Sequence, residues 1–427
     1  MAHMVGTLVE VVAPSRLGRP FRWLLGSSWA SNLGDGISLA AGPLLVASQT
    51  RDPFLVALAV VLQRLPWLLF GLVAGVAADR FDRRRIIVAV QVVRASVLVV
   101  LSTAIVLDTV AISVVLVVLF VLGTAETFAD TTSSTLLPMV VAKGDLGVGN
   151  ARLMTGFVTL NQLAGPPIGA ALFAIGTVAP FVVQAVCMAV SAVLAARVAL
   201  PAHGVDRAGR SDIRREIAEG FRWLWDNPAV RTLALTIVTF NVTFGAAWSV
   251  LVLYAIERLG TGEVGFGLLT TAIAVGGLLA TALYGWVASR VSLGNLMRAS
   301  LIIETFTHLA LALTTTLWVA LAIMFVFGAH AFVWGTTSAS VRQRAVPTAL
   351  QGRVGSVYLI GVQGGIVVGS VVGGLIAGLW GVTAPFWFAF IGSGVLVIAI
   401  WPQLTHIAHA DDAAVRDAGA PLAEDLL

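Results

Sequence analysis

One cysteine and few charges are the first limits this chain of 427 residues sets on its own function. Cys187 stands alone, so no internal disulfide can form, and it has no neighbours at metal-ligand spacing; it reads as a packing residue. Charged residues make up 11% of the chain against 58% hydrophobic, with a mean hydropathy of +0.94. A surface this poor in charge faces lipid rather than water, which excludes a soluble protein. Also missing are a nucleophile paired with a base, a phosphate-cradling loop and a cluster of metal ligands. No enzyme, cofactor or metal site is expected. The N-terminus carries no small-residue cleavage pattern, so the first apolar segment is expected to direct insertion itself.

What is present is a series of long apolar runs. At about 20 residues per crossing they predict an all-α polytopic membrane protein with twelve transmembrane helices, at 22–48, 54–78, 86–107, 111–138, 153–175, 180–200, 230–256, 266–288, 296–314, 317–341, 354–378 and 384–402. Only helices satisfy their own backbone in hydrocarbon. Turn chemistry or charge marks the breaks, as at Arg51-Asp52-Pro53, Lys143-Gly144-Asp145 and Asn227-Pro228. Arg80, Arg83, Arg84, Arg85, Lys143, Arg290 and the arginines of 207–222 and 342–353 fall on one side, against Arg51 and Arg258 on the other. That bias puts both termini in the cytoplasm, in a multi-pass protein of the cell membrane. The pI of about 9.9 and the formal charge of +4 are therefore topology signals, and no nucleic-acid partner is expected.

The longest polar stretch divides the helices six and six. The expected domains are a cytoplasmic N-terminus at 1–21, a first six-helix bundle at 22–200, a cytoplasmic linker at 201–229, a second bundle at 230–402 and a disordered cytoplasmic tail at 403–427. Within the linker, Ile213, Ile217 and Leu224 recur on one face and Arg214, Arg215, Glu216, Glu219 and Arg222 on the other, with Phe221, Trp223 and Trp225 suited to headgroups. This amphipathic helix either lies flat under the bilayer or acts as a solvated hinge. The halves look like copies. Gly75-Val-Ala-Ala-Asp-Arg80 has a degraded counterpart in Gly285-Trp-Val-Ala-Ser-Arg290, and the glycine-to-proline run 123–138 parallels 328–347.

These motifs resemble the major facilitator superfamily, in its twelve-helix branch of drug and siderophore exporters that includes macrolide-efflux and enterobactin-exporter relatives. The family's loop pattern Gly-x-x-x-Asp-Arg-x-Gly-Arg-Arg matches at Gly75, Asp79, Arg80, Arg83 and Arg84, with Asp82 in place of the second glycine. Asp tolerates a helix-ending conformation, so a turn is still expected there. The helix-five antiporter pattern Gly-Pro-x-x-Gly matches at Gly165, Pro166 and Gly169, with an added Pro167. Asn32-Leu-Gly-Asp35-Gly36 and the linker run from Glu216 to Pro228 are similar to the same branch. The resemblance implies the major facilitator fold of two pseudo-symmetric six-helix bundles. It also implies a gate in which Asp79, Arg83 and Asp130 form a charge cluster, and a helix-five bend that seals the outer side.

Ionisable side chains inside a membrane are costly, so each is a functional candidate. They are Asp35, Arg64, Arg94, Glu126 and Asp130 in the first half, and Glu304, His308 and His330 in the second. Asp35 and Glu126 lie mid-helix and are candidates for proton coupling, as is His330. The alternative for the two acids is a permanent pair with Arg64. Glu304 and His308, at i,i+4 spacing, are expected to form a local pair. Asn241, Phe244 and Trp248 on helix seven, Phe157 and Asn161 on helix five, and Asn32, Arg64 and Trp334 suit an amphipathic organic substrate. Anionic substrates are disfavoured because the acids outnumber the bases. The expected function is a monomeric proton-coupled antiporter exporting small amphipathic molecules from among membrane lipids, with protons as the coupling ion. The alternatives are a lysophospholipid flippase, an uptake symporter, or a non-transporting receptor or scaffold.

Overall fold

A computed structural model describes residues 14–199, 213–347 and 350–401. The expectations for the N-terminus before 14, the linker before 213 and the tail after 401 lie outside these described residues. Among them, helices follow one another without a strand. They are α1 (Gly18–Gln49), α2 (Pro53–Arg80), α3 (Arg83–Val106), α4 (Ile112–Val140), α5 (Leu146–Ile175), α6 (Ala179–Ala196), α7 (Ile213–Asp226), α8 (Pro228–Trp248), α9 (Gly262–Ala288), α10 (Leu293–Leu313), α11 (Leu317–Ala345), α12 (Gln351–Trp380) and α13 (Ala384–Ile400). Beyond α8, Leu251–Leu253 and Tyr254–Arg258 extend the same span.

Ten of the described helices are long and apolar enough to cross a membrane. α13 is a shorter apolar helix of 17 residues, and the 32-residue α1 is diluted by Ser27, Ser28, Ser31, Asn32 and Asp35. With α7 as the linker helix, the expected twelve crossings are present. α5 begins seven residues before the expected 153, and α6 ends at 196 rather than 200.

The polar residues at the breaks act as caps. Asp52 accepts from the Phe54 N–H at 2.9 Å, with Pro53 supplying a first turn that needs no donor. Asp82 stands in the break between α2 and α3, extended with φ −61° and ψ 110°, and its carboxylate accepts from the Arg85 N–H at 3.1 Å. The residue in the glycine position of the loop pattern is therefore the N-cap of α3.

The chain folds as two compact units, Met1–Arg210 with Ser249–Ala274, and Ser211–Trp248 with Val275–Leu427. The stretch 249–274 groups with the first unit because Val250 and Leu251 to Ala255 are buried, Leu251–Leu253 packs on α1, and Gly267 meets Ala170 of α5. The same pairings recur in both units. α1 packs on α5 and α6, and α3 on α4 and α6; α8 packs on α12 and α13, and α10 on α11 and α13. In the second unit, Gly365, Gly369 and Gly373 bring α12 against the backbone of Val238, Val242 and Ala246. A stripe of small residues is how membrane helices gain contact when lipid is as apolar as the protein.

The linker helix α7 neither hangs free nor meets only the bilayer. Leu224 enters a cluster with Val230, Ala234, Val346 and Val354, Gly220 abuts the Arg353 backbone, and Glu219 accepts from Arg353 at 2.7 Å. Phe221 and Trp225 stack on the outer face and stay half exposed. A side chain at Gly369 has nowhere to go, so Gly369→Leu is expected to destabilise the second unit by about 1–3 kcal/mol through overpacking. Gly364→Leu, with open space beside it, should be near neutral. Thermal unfolding of the two purified variants checks the contrast.

Candidate transport site

The polar residues that dilute α1 converge inside the first unit. Asp35, in the middle of α1 and 5% exposed, pairs with the guanidinium of Arg94 on α3, which is 1% exposed. Sequence reasoning offered Arg64 as the permanent partner; the observed partner is Arg94, and Arg64 sits half-buried on α2. Ser31, one turn before Asp35, donates to its carboxylate at 3.2 Å. The Ser31 hydroxyl accepts in turn from Arg94 at 3.3 Å and from the Gln91 amide at 2.9 Å. Gln91 also accepts from Arg94 at 3.2 Å and donates to Ser191 of α6 at 3.2 Å. Ser191 and Ser27 exchange hydroxyl-to-carbonyl bonds at 2.9 and 3.0 Å. α1, α3 and α6 are thus joined by one buried polar network that engages both terminal nitrogens of Arg94 and leaves its Nε without a partner.

Glu126 and Asp130 lie one turn apart on α4, half-buried, and both act electrostatically on Arg94. Asp130 therefore shares the field of the central guanidinium. Arg83, at the start of α3, donates to the Ala78 carbonyl at 2.9 Å and reaches Met139 of α4, while Arg84 reaches the Val198 carbonyl at 3.5 Å. Arg80 is exposed and Gly75 has open space beside it. The side chain of Asp79 lies outside the described residues.

The helix-five pattern sits against the two residues that follow the acid. A Cβ on Gly36 would lie 2.6 Å from the Asn161 carbonyl oxygen and 2.8 Å from the Gly165 Cα, and Gly169 is pressed on the Ile37 backbone. Phe157–Ala164 is π-helical, immediately before Gly165 and Pro166. Pro166 and Pro167 have no N–H for the carbonyls four residues earlier, which opens the ladder to the wider turn. Asn161 is 4% exposed and Phe157 41% exposed, so crossing against α1 divides the face these two were expected to share.

The profile of the transmembrane secretion effector family, MFS_3, matches residues 11–425. The chain belongs to this family of the major facilitator superfamily. It is 27% identical over 385 residues to the multidrug efflux pump Tap of Mycolicibacterium fortuitum, covering 86% of this chain and 91% of that pump. Tap of Mycobacterium tuberculosis is 29% identical over 266 residues, 60% of this chain and 63% of the relative. Among solved structures, a point mutant of the nucleoside transporter NupG superposes with a TM-score of 0.70 at 11% identity, covering 91% of this chain and all of that one. A bacterial homologue of the human lysosomal transporter Spinster, inward-facing and unoccupied, gives 0.66 at 15% identity over 93% and 98%. These two show the fold. The protein is a major facilitator transporter, of a superfamily of carriers rather than enzymes.

In the second unit of this transporter, Phe244 and Trp248 stack at 4.6 Å, and Phe327 of α11 joins them at 6.0 and 4.9 Å. Asn241 is tied to its own helix through the Ile237 carbonyl at 2.7 Å, as Asn32 is to that of Ser28 at 2.8 Å. Trp334, read from sequence as a substrate contact, is 9% exposed and packed among Leu233, Phe240, Met297, Leu301 and Ile400. It is a core residue, because the face of α11 that bears it turns inward. The expected Glu304–His308 pair is not formed, since neither ring nitrogen of His308 has a hydrogen-bond partner. His330 likewise has no hydrogen-bond partner at either ring nitrogen.

Arg94 answers to three carboxyl groups, which predicts an asymmetry. Asp35→Asn leaves Arg94 with Glu126 and Asp130 nearby, whereas Arg94→Gln leaves the acids without their cation. Breaking a buried pair from one side costs about 3–5 kcal/mol. Arg94→Gln is expected to show the full loss in thermal unfolding and Asp35→Asn a smaller one, with the double variant recovering part of it.

Proposed function

We propose that this protein is a proton-coupled antiporter that exports amphipathic small molecules across the cell membrane by alternating access. The observation that carries the reading is the buried Asp35–Arg94 pair, with Glu126 and Asp130 half-buried on α4, which packs against α3. Three carboxyl groups around one guanidinium leave a negative surplus that a low-dielectric site does not tolerate. A proton or a cationic substrate neutralises it, and the two compete for the same place. That competition is the physical content of antiport. A proton entering from outside displaces substrate, and substrate entering from the cytoplasm displaces the proton.

The motion that follows has a route. Gly36 adjoins Asp35 and touches the backbone of α5 at Leu160, Asn161 and Gly165, so a shift of α1 on protonation is passed to the π-helical turn and its prolines. Gly165, Pro166 and Gly169 act as the outer gate in this scheme, and the arginines of the 80–85 loop as the cytoplasmic one. The relatives named as multidrug efflux pumps and the half-buried rings of Phe244 and Trp248 support an amphipathic organic substrate. The arginine bias of the loops supports cytoplasmic termini, and the carrier works as a monomer.

The test is accumulation of a panel of amphipathic drugs and dyes in a pump-deficient host. Wild type is expected to lower accumulation only while the proton gradient stands, and Asp35→Asn, present in the membrane at normal levels, is expected to lose that effect at least tenfold. Export that survives a protonophore overturns the coupling. Substrate that moves inward with an imposed proton gradient identifies a symporter.

A further inference from the structure

The second unit buries two polar side chains for which its own fold provides nothing. His308 on α10 is 1% exposed and His330 on α11 is 5% exposed, and all four ring nitrogens lack a hydrogen-bond partner. Buried polar atoms are almost always satisfied, and two such orphans on helices that pack together call for a specific explanation. A metal centre is not it, because among the described residues no group of three or more His, Cys, Asp or Glu side chains converges. Glu304 lies one turn before His308 on the same helix but leaves both its ring nitrogens unbonded.

The surroundings point to a ligand. His330 meets Phe327 edge-on, with ring centroids 5.1 Å apart and planes at 82°. Phe327 lies 4.9 Å from Trp248, which lies 4.6 Å from Phe244. Phe327 is buried, whereas Phe244 and Trp248 are half-exposed. A stacking surface therefore runs from accessible rings to unsatisfied imidazoles. A neutral imidazole offers one donor and one acceptor in a single plane. Two of them complement a flat ligand that carries both kinds of group on its edge. They supply no negative charge to hold a cation.

We infer that His308 and His330 are the hydrogen-bonding end of a ligand subsite within the second unit, with Phe244, Trp248 and Phe327 as its stacking wall. It takes planar heteroaromatic rings bearing an N–H donor and a carbonyl acceptor. This deepens the export reading, on which the subsite's place in transport rests. The subsite selects among substrates, while the charged cluster of the first unit couples them to protons.

Acridone and xanthone separate stacking from hydrogen bonding, because they share a tricyclic ketone and differ in an N–H against a ring oxygen. Acridone binding to the full-length protein in lipid nanodiscs is read by fluorescence anisotropy, and xanthone by displacement. Acridone is expected to bind about tenfold more tightly, the worth of one hydrogen bond. Of His308→Leu and His330→Leu, the one that removes the acceptor for the N–H should reduce that ratio toward one with little change for xanthone, the other, which removes the donor to the shared carbonyl, should weaken both ligands, and His330→Gln, which keeps a donor and an acceptor, should restore part of what His330→Leu loses. Trp248→Ala should weaken both ligands together. Equal affinity of the two ligands for wild type, no binding of either, or a ratio unchanged in both leucine variants overturns the inference. Binding is measured at equilibrium without a gradient, so failure of proton coupling leaves these results standing, and failure here leaves proton coupling standing.

Discussion

A guanidinium and a carboxylate paired inside a bundle, in a protein whose outer surface is hydrocarbon, set the terms for the rest of the first unit. Neither ion is stable there alone, and the attraction between them offsets desolvation only when the remaining donors and acceptors are also met. Ser31, Gln91, Ser191 and Ser27 meet most of them, and in doing so fix α3 and α6 against α1. α1 is polar for a membrane helix because it carries one side of this network. It tolerates that composition because eighteen of its residues are buried against protein rather than lipid.

The two units repeat the same helix pairings while dividing the chemistry. The first concentrates charge, with one arginine among three acids. The second has aromatic rings and two imidazoles at its centre, with ion pairs at the linker helix α7, where Glu219 meets Arg215 and Arg353. A repeat in packing thus places few demands on the side chains at the centre. Small residues along α5 and α12 are kept because the backbones approach closely there, and the interior is left to specialise.

Most of the architecture was legible because the bilayer enforces it. Helix length, apolar runs and arginine-rich loops are direct readings of hydrocarbon thickness and insertion energetics. What stayed hidden was anything decided by which helices are neighbours. Arg64 and Arg94 have equal standing in a sequence; only the packing of α3 on α1 selects Arg94 for Asp35. Spacing put Glu304 and His308 on one face, but a shared face does not make a bond. Trp334 looked like a substrate contact and turned out to be core, because periodicity does not say which side of a helix is inside. The grouping of 249–274 with the first unit had no signal in composition, since it depends on where Leu251 to Leu253 and Gly267 find partners. The wider turn of α5 was readable from Pro166 and Pro167, whose missing donors disturb the ladder upstream.

The adjacency of Asp35 and Gly36 ties the chemical and mechanical parts of the first unit together. An acid that changes its hydrogen bonding moves little when loosely packed, because side-chain rotation absorbs the change. Asp35 has no such freedom: Ser31 and Arg94 hold its two oxygens, and the next residue is in backbone contact with α5. A change at the carboxylate is therefore taken up by α1 or α5 as a whole. The π-helical turn is where α5 can yield at least cost, because its hydrogen bonds are already displaced from the α-helical register. Proline in the motif thus does more than permit a bend. In the proposed coupling it sets the place where strain from protonation is released, one helix contact away from Asp35.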